Sequence, residues 1–119
     1  MIVSYHLQEP PNSDEEEELK ALLDVDMLIH HPARMAILMF LLPLGRATFT
    51  VIQKALGITS GNLSAHIKKL RNEGLVKVKK TFIKLKPTME IFLSELGRNS
   101  LITYASQFSV LLQHMLEDK

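Results

Sequence analysis

Hydrogen-bond donors crowd into two stretches of this 119-residue chain. In Ser60-Gly61-Asn62-Leu63-Ser64-Ala65-His66-Ile67-Lys68-Lys69-Leu70, the apolar Leu63, Ile67 and Leu70 share one face at helical spacing. Ser60 opens that helix. Its outward side carries Gly61, Asn62, Ser64, Ala65, Lys68 and Lys69. Small side chains let a backbone approach a ligand closely, while lysine, asparagine and serine donate to phosphate oxygens and base edges. A second stretch places Lys79, Lys80, Lys84 and Lys86 in and beside the loop between two period-two runs. Recognition of a polyanion, with no bond made or broken, is the chemistry these residues suit.

Charge is segregated along the chain although its net value is only +1. Residues 1–30 hold eight acids and one base, a balance of −7, whereas residues 60–90 hold eight bases and two acids, a balance of +6. Such a division makes an electrostatic face, which selects partners more strongly than the total does.

Other chemistries find little support. The absence of cysteine removes disulfides, thiolate metal sites and cysteine nucleophiles together. His30 and His31 are adjacent, so they cannot share one helical face, and His66 and His114 are remote in sequence. His66 is expected to be a packed, hydrogen-bonded residue. No nucleophile elbow or phosphate-binding glycine loop occurs, so neither an enzyme nor a cofactor or metal is expected. The longest apolar run, Met35 to Leu44, is about half of the ~20 residues a membrane span requires, and no leader pattern precedes it. The expected location is the cytoplasm.

Around the donor-rich stretches the elements follow from period and punctuation. Residues 1–12, with Pro10 and Pro11, suggest an extended arm. Ser13 and Glu16 match a capping box for a helix reaching Leu28 or Ile29. Ala33 to Leu42 is apolar nearly all round and should form a central helix, ended by Pro43-Leu44-Gly45. Residues 47–49 suit a short strand, Thr50 should cap a helix closed by Gly57, and Ser60 should cap the next, closed by Gly74. Leu75 to Lys79 and Thr88 to Leu93 read as antiparallel strands with apolar residues inward and lysines outward. Ser94 then caps a final helix to about Leu116. On it Leu101, Ala105, Phe108, Leu112 and Met115 form a heptad-like seam for a second copy.

With these elements in place, the chain resembles the winged helix-turn-helix transcriptional regulators of the MarR/ArsR superfamily, chiefly the small bacterial and archaeal ones. The resemblance covers about residues 28–100. It is carried by His31-Pro32-Ala33-Arg34-Met35-Ala36-Ile37-Leu38, by Leu56 through Leu70, by Glu73-Gly74-Leu75-Val76 and by Phe92-Leu93-Ser94-Glu95-Leu96-Gly97-Arg98. It implies a mainly α fold with a small β-hairpin and extra terminal helices for dimerisation. It also implies a homodimer on double-stranded DNA, with the recognition helix in the major groove and the wing on the flanking backbone. The corresponding division is an arm over 1–12, a DNA-binding domain over 13–94 and a dimerisation helix over 95–119. Lys80-Thr81-Phe82-Ile83-Lys84-Leu85-Lys86 departs from the family: it lacks the usual glycine and arginine and is more apolar. Phe82 and Ile83 could therefore pack on the domain instead of reaching outward. The competing function is a winged helix used for protein–protein contact, because fold alone does not fix function. No operator or effector is legible.

Overall fold

A computed structural model describes residues 12–23 and 27–117. The elements are α1 (Ser13–Leu23), α2 (Pro32–Leu44), β1 (Arg46–Thr48), α3 (Phe49–Leu56), α4 (Ser60–Asn72), β2 (Val76–Ile83), β3 (Lys86–Leu93) and α5 (Glu95–Glu117). This is the expected mainly α chain with a small antiparallel sheet. The arm expected over residues 1–12 lies outside the described residues except for Asn12, which belongs to the cap of α1.

Each helix start is set by a side chain, and three starts differ from the expectation. Asn12 and Glu15, not Ser13 and Glu16, exchange the reciprocal capping bonds of α1, at 2.8 and 3.1 Å. Thr48 caps α3 by accepting from the Val51 amide at 3.3 Å, so Thr50 already lies inside the helix. Thr59, held extended at φ −71° and ψ 155°, caps α4 by accepting from the Asn62 amide at 3.1 Å. Ser60 is therefore the first helical residue. At both threonines a nearby residue also has a capping hydroxyl, and the one with extended backbone reaches the amide three residues on. Pro32 sits in the first turn of α2 and His31 caps it, its Nδ1 accepting from the Ala33 amide at 3.2 Å. Residues 27–29 form a turn, so α1 does not extend to Leu28.

The sheet order is β1-β3-β2, all antiparallel. Strand β1 pairs only with residues 90–92 of β3, so among the described residues the outer part of the β2–β3 hairpin has no third strand beside it. Both hairpin strands are eight residues long, longer than the period-two runs suggest, because pairing continues through Ile83↔Lys86. Most of the expected loop is strand. The turn is only Lys84-Leu85, and both residues have positive φ, 52° and 68°.

One core joins these elements. Ile37, Leu38 and Leu41 of α2 meet Ile52 of α3, Leu63 and Leu70 of α4, Val76 and Ile91 of the hairpin, and Leu101 and Tyr104 of α5. Burying an aliphatic side chain of this size stabilises by about 1.5–3 kcal/mol, so the apolar face of α4 anchors it firmly. Arg34 is buried, but its guanidinium donates to the carbonyl of Leu28 at 2.5 Å and of Met27 at 3.4 Å. It thereby ties the turn before α2 to the helix itself. Acidic α1 lies against α5 of the same chain.

At the base of the hairpin α5 crosses the chain so closely that Gly97 is required. A Cβ there would stand 2.1 Å from the carbonyl oxygen of Leu75. That oxygen also accepts from the Ser94 amide at 3.1 Å and from Ser94 Oγ at 2.9 Å. Ser94 Oγ in turn accepts from the Gly97 amide at 2.9 Å, which makes Ser94 the cap of α5, as expected. This junction fixes the wing against the terminal helix.

Candidate nucleic-acid interface

Helices α3 and α4 are joined by Gly57-Ile58-Thr59. Gly57 takes the left-handed conformation at φ 65°, and its amide bonds to Gln53 O, closing α3 within one residue. Leu63, Ile67 and Leu70 then turn inward. Every outward residue named from the sequence (Ser60, Gly61, Asn62, Ser64, Ala65, Lys68 and Lys69) is exposed. Arg71, also exposed, lies on the Ser64 flank of the same surface. Sequence reasoning counts its charge but passes over its place on the helix, which the 3.6-residue period could have supplied.

Lys79, Lys80, Lys84 and Lys86 are exposed as well, and so is Lys77, which the period-two alternation points outward but the expected site leaves out. They do not form a single stripe. Alternation along β2 and its register with β3 put Lys77, Lys79 and Lys86 on one face of the ribbon. Lys80 falls on the other face, with Val76 and Val78, and Lys84 occupies the turn. The expected pattern of apolar inward and lysine outward therefore ends at Lys79. A ribbon presenting cations on both faces and at its end suits a ligand that passes along its edge.

Among the described residues little neutralises these charges. Glu90, opposite Lys79 in the sheet, is occupied by Arg46, whose Nε lies 3.6 Å from its carboxylate and whose guanidinium also sits 5.7 Å from the Phe92 ring. No acid occurs between Glu73 and Glu90. Eight exposed cations thus remain: Lys68, Lys69 and Arg71 on α4, and Lys77, Lys79, Lys80, Lys84 and Lys86 on the hairpin.

Phe82 and Ile83 do not pack on the domain. Phe82 is 69% exposed and Leu85, at the turn, 94%. The unbacked outer hairpin carries them beyond the reach of the core.

His66 flanks the buried side of α4 and is half-buried, its ring 4.7 Å from that of His31. Burial, followed by the charges of His31, Arg34 and Lys69, pulls its pKa below the ordinary 6.5. Among the described residues no group of three or more His, Cys, Asp or Glu is placed to hold a metal ion, and no helix is long and apolar enough to cross a membrane.

The expected dimer seam divides. Leu101 is buried in the core of its own chain, and Phe108 is half-buried against Tyr104. Ala105 and Leu112 are exposed, while the Met115 side chain lies outside the described residues. Between α2 and α5 runs an apolar groove of roughly 900 Å³, lined by Met35, Met39, Leu42, Ile102, Ala105, Phe108 and Leu112 among others.

Two helices meeting across a three-residue link, the second exposing a cationic face beside a basic hairpin, define a winged helix-turn-helix domain. Residues 33–112 match the model of the winged helix DNA-binding domain, and the chain belongs to that family. It is similar to a transcriptional regulator homologue protein from Pyrococcus horikoshii OT3. The identity is 33% over 83% of this chain and 97% of that one, with a TM-score of 0.77. Its fold is also similar to that of the transcriptional repressor BigR from Xylella fastidiosa, at 18% identity over 89% of this chain and 95% of that one (TM-score 0.54). Overoxidized AbfR bound to DNA is another such structure, at 19% identity over 87% of this chain and 76% of that one (TM-score 0.58). No curated protein gives a significant sequence match. The winged helix-turn-helix part of the resemblance drawn from the sequence thus holds.

Proposed function

We propose that this protein is a sequence-specific regulator that binds double-stranded DNA as a homodimer, with α4 in the major groove and the hairpin on the flanking backbone. The observation that carries it is the outward face of α4, small and cationic and followed directly in the chain by a hairpin bearing five exposed lysines. In this arrangement Ser60, Gly61, Asn62, Ser64 and Ala65 approach base edges. Lys68, Lys69 and the hairpin lysines Lys79, Lys80, Lys84 and Lys86 neutralise phosphates. A protein-contact surface would need a large apolar anchor, and the outward face of α4 has none.

The second copy is supported by the exposed apolar residues along the α2–α5 groove, Met39, Ile102 and Leu112. Buried together in a dimer they would leave water, and two recognition helices would then face half-sites of an inverted repeat.

The test is binding of mixed-sequence duplex DNA across a salt series. Each neutralised phosphate contributes about −0.9 to the log–log slope. Lys68→Glu with Lys69→Glu should abolish binding and leave thermal stability and mass in solution unchanged, since both side chains are exposed. Affinity that is absent at low salt, or does not vary with salt, would refute the proposal. Selection from a random duplex pool should then yield an inverted repeat.

A further inference from the structure

Two histidines meet where α2 touches α4. His31 caps α2 and His66 stands on α4, their ring centroids 4.7 Å apart and their planes inclined by 51°. Both are half-buried. His66 neighbours Asn62 and Lys69, at i−4 and i+3, on the flank where the core face of α4 gives way to the outward one. The two rings differ in what a proton would cost them. His31 Nδ1 accepts from the Ala33 amide at 3.2 Å, so a proton on that nitrogen would remove the cap of α2. Among the described residues His66 has no such bond to lose. The charged and titratable groups acting on it are His31 and Arg34 from α2 and Lys69 from α4, and none of them is acidic. Arg34 is buried and permanently charged. Burial and these groups hold the His66 pKa below its ordinary value, so the free chain keeps the ring largely neutral near pH 7.

We infer that duplex binding is coupled to the uptake of a proton by His66, because a backbone phosphate drawn to Lys69 supplies a negative neighbour for the imidazolium. This rests on the DNA-binding function proposed above and deepens it by making affinity depend on pH. In the free chain every named charge near His66 opposes a proton. Bound DNA reverses that balance, since a neighbouring opposite charge favours the charged form of a titratable group. The coupling is reciprocal: DNA that strengthens proton binding is itself bound more tightly by the protonated chain, by the same factor. Its sign separates this coupling from the rival outcome at the same contact. Protonation of His31 would release the cap of α2 and set two cations against each other across the α2–α4 contact, so acid would weaken binding. Protonation of His66 breaks no bond among the described residues and adds a cation beside Lys69, so acid strengthens it.

The experiment titrates the full chain with mixed-sequence duplex DNA at fixed salt, from about pH 8 to about pH 5.5, the range in which histidine changes charge. Affinity should rise about fivefold or more toward acid, the usual scale of coupling between two ligands. Calorimetry in two buffers of different ionisation enthalpy should register protons taken up on binding. His66→Gln, which cannot take a proton, should give an affinity flat with pH and no uptake. His31→Asn, which keeps a side chain able to cap α2, should retain the uptake. Nuclear magnetic resonance of the His66 ring in the unmodified chain checks the same point without a substitution: it should titrate at higher pH in the complex than in the free chain. Binding that weakens in acid, uptake that survives in His66→Gln, or a His66 ring that titrates alike with and without DNA would each overturn the inference. Duplex binding that ignores pH would overturn it too, while the DNA-binding function stands. No duplex binding at any pH would overturn both.

Discussion

Replacing Gly97 by alanine tests whether the junction between wing and terminal helix is as tight as the structure makes it. Two effects oppose each other. Within a helix, glycine to alanine favours folding by about 1 kcal/mol. Against this, the new Cβ would meet the Leu75 carbonyl oxygen at 2.1 Å and its carbon at 2.9 Å, both backbone atoms that cannot swing aside. The start of α5 or the Leu75 peptide must therefore move by about 1 Å, an overpacking cost of about 1–3 kcal/mol. Movement also stretches the bonds from Ser94 N and Oγ to Leu75 O, each worth about 0.5–1.5 kcal/mol. The clash outweighs the propensity, and the net is a destabilisation of about 2 kcal/mol. For a domain of this size, the melting temperature should fall by roughly 5–10 °C. Gly61→Ala is the control. It lies on exposed α4 with nothing within 4 Å of an added Cβ, so its melting temperature should hold or rise. Circular dichroism melts and urea titrations of the two variants decide the matter. A Gly97→Ala protein as stable as the parent would show that the junction is looser than described.

Thr59→Ala should cost about 1 kcal/mol, the usual loss of a helix cap, while Ser60→Ala should change stability by only a few tenths; urea midpoints that rank them the other way would return the cap to Ser60. Leu112→Glu places a charge on the exposed part of α5 and should give monomers by sedimentation, with the melt of the monomer still cooperative. It is a cleaner probe than Phe108→Glu, whose ring packs on the chain's own core. A monomeric parent protein at micromolar concentration would end the dimer proposal. For His66, the lowered pKa means the folded chain binds fewer protons than the unfolded one. Its contribution to stability is whole above pH 6.5 and is lost as pH falls through that value toward the lowered one. Between pH 8 and 5 the parent should thus lose more melting temperature than His66→Gln does, and parallel pH profiles would contradict the assignment.

Much of the architecture is legible in the sequence because it is local. The spacing of Leu63, Ile67 and Leu70 makes one face of α4 apolar, so the other is known without a partner. Gly57, Gly74 and Ser94 end or begin elements by their own backbone and side-chain chemistry, and each occupies the place expected of it. The caps Thr48 and Thr59 are not separable from Thr50 and Ser60 by sequence, because nearby hydroxyls are chemically equivalent until packing decides which residue is extended.

By itself, then, the sequence determined the helical faces, the alternation of the hairpin up to Lys79 and the segregation of charge, all consequences of period and composition. Tertiary structure alone decided which faces are covered. Leu101 and Leu112 lie on one helix at seam positions, yet the first fills the chain's own core and the second meets solvent, because the buried face of α5 runs through Leu101, Tyr104 and Leu111 and leaves Leu112 outside it. Likewise the sequence of the wing tip said only that it is apolar. Its exposure follows from an eight-residue ribbon outrunning the three-residue strand β1 beside it, a matter of lengths and register that no local pattern encodes.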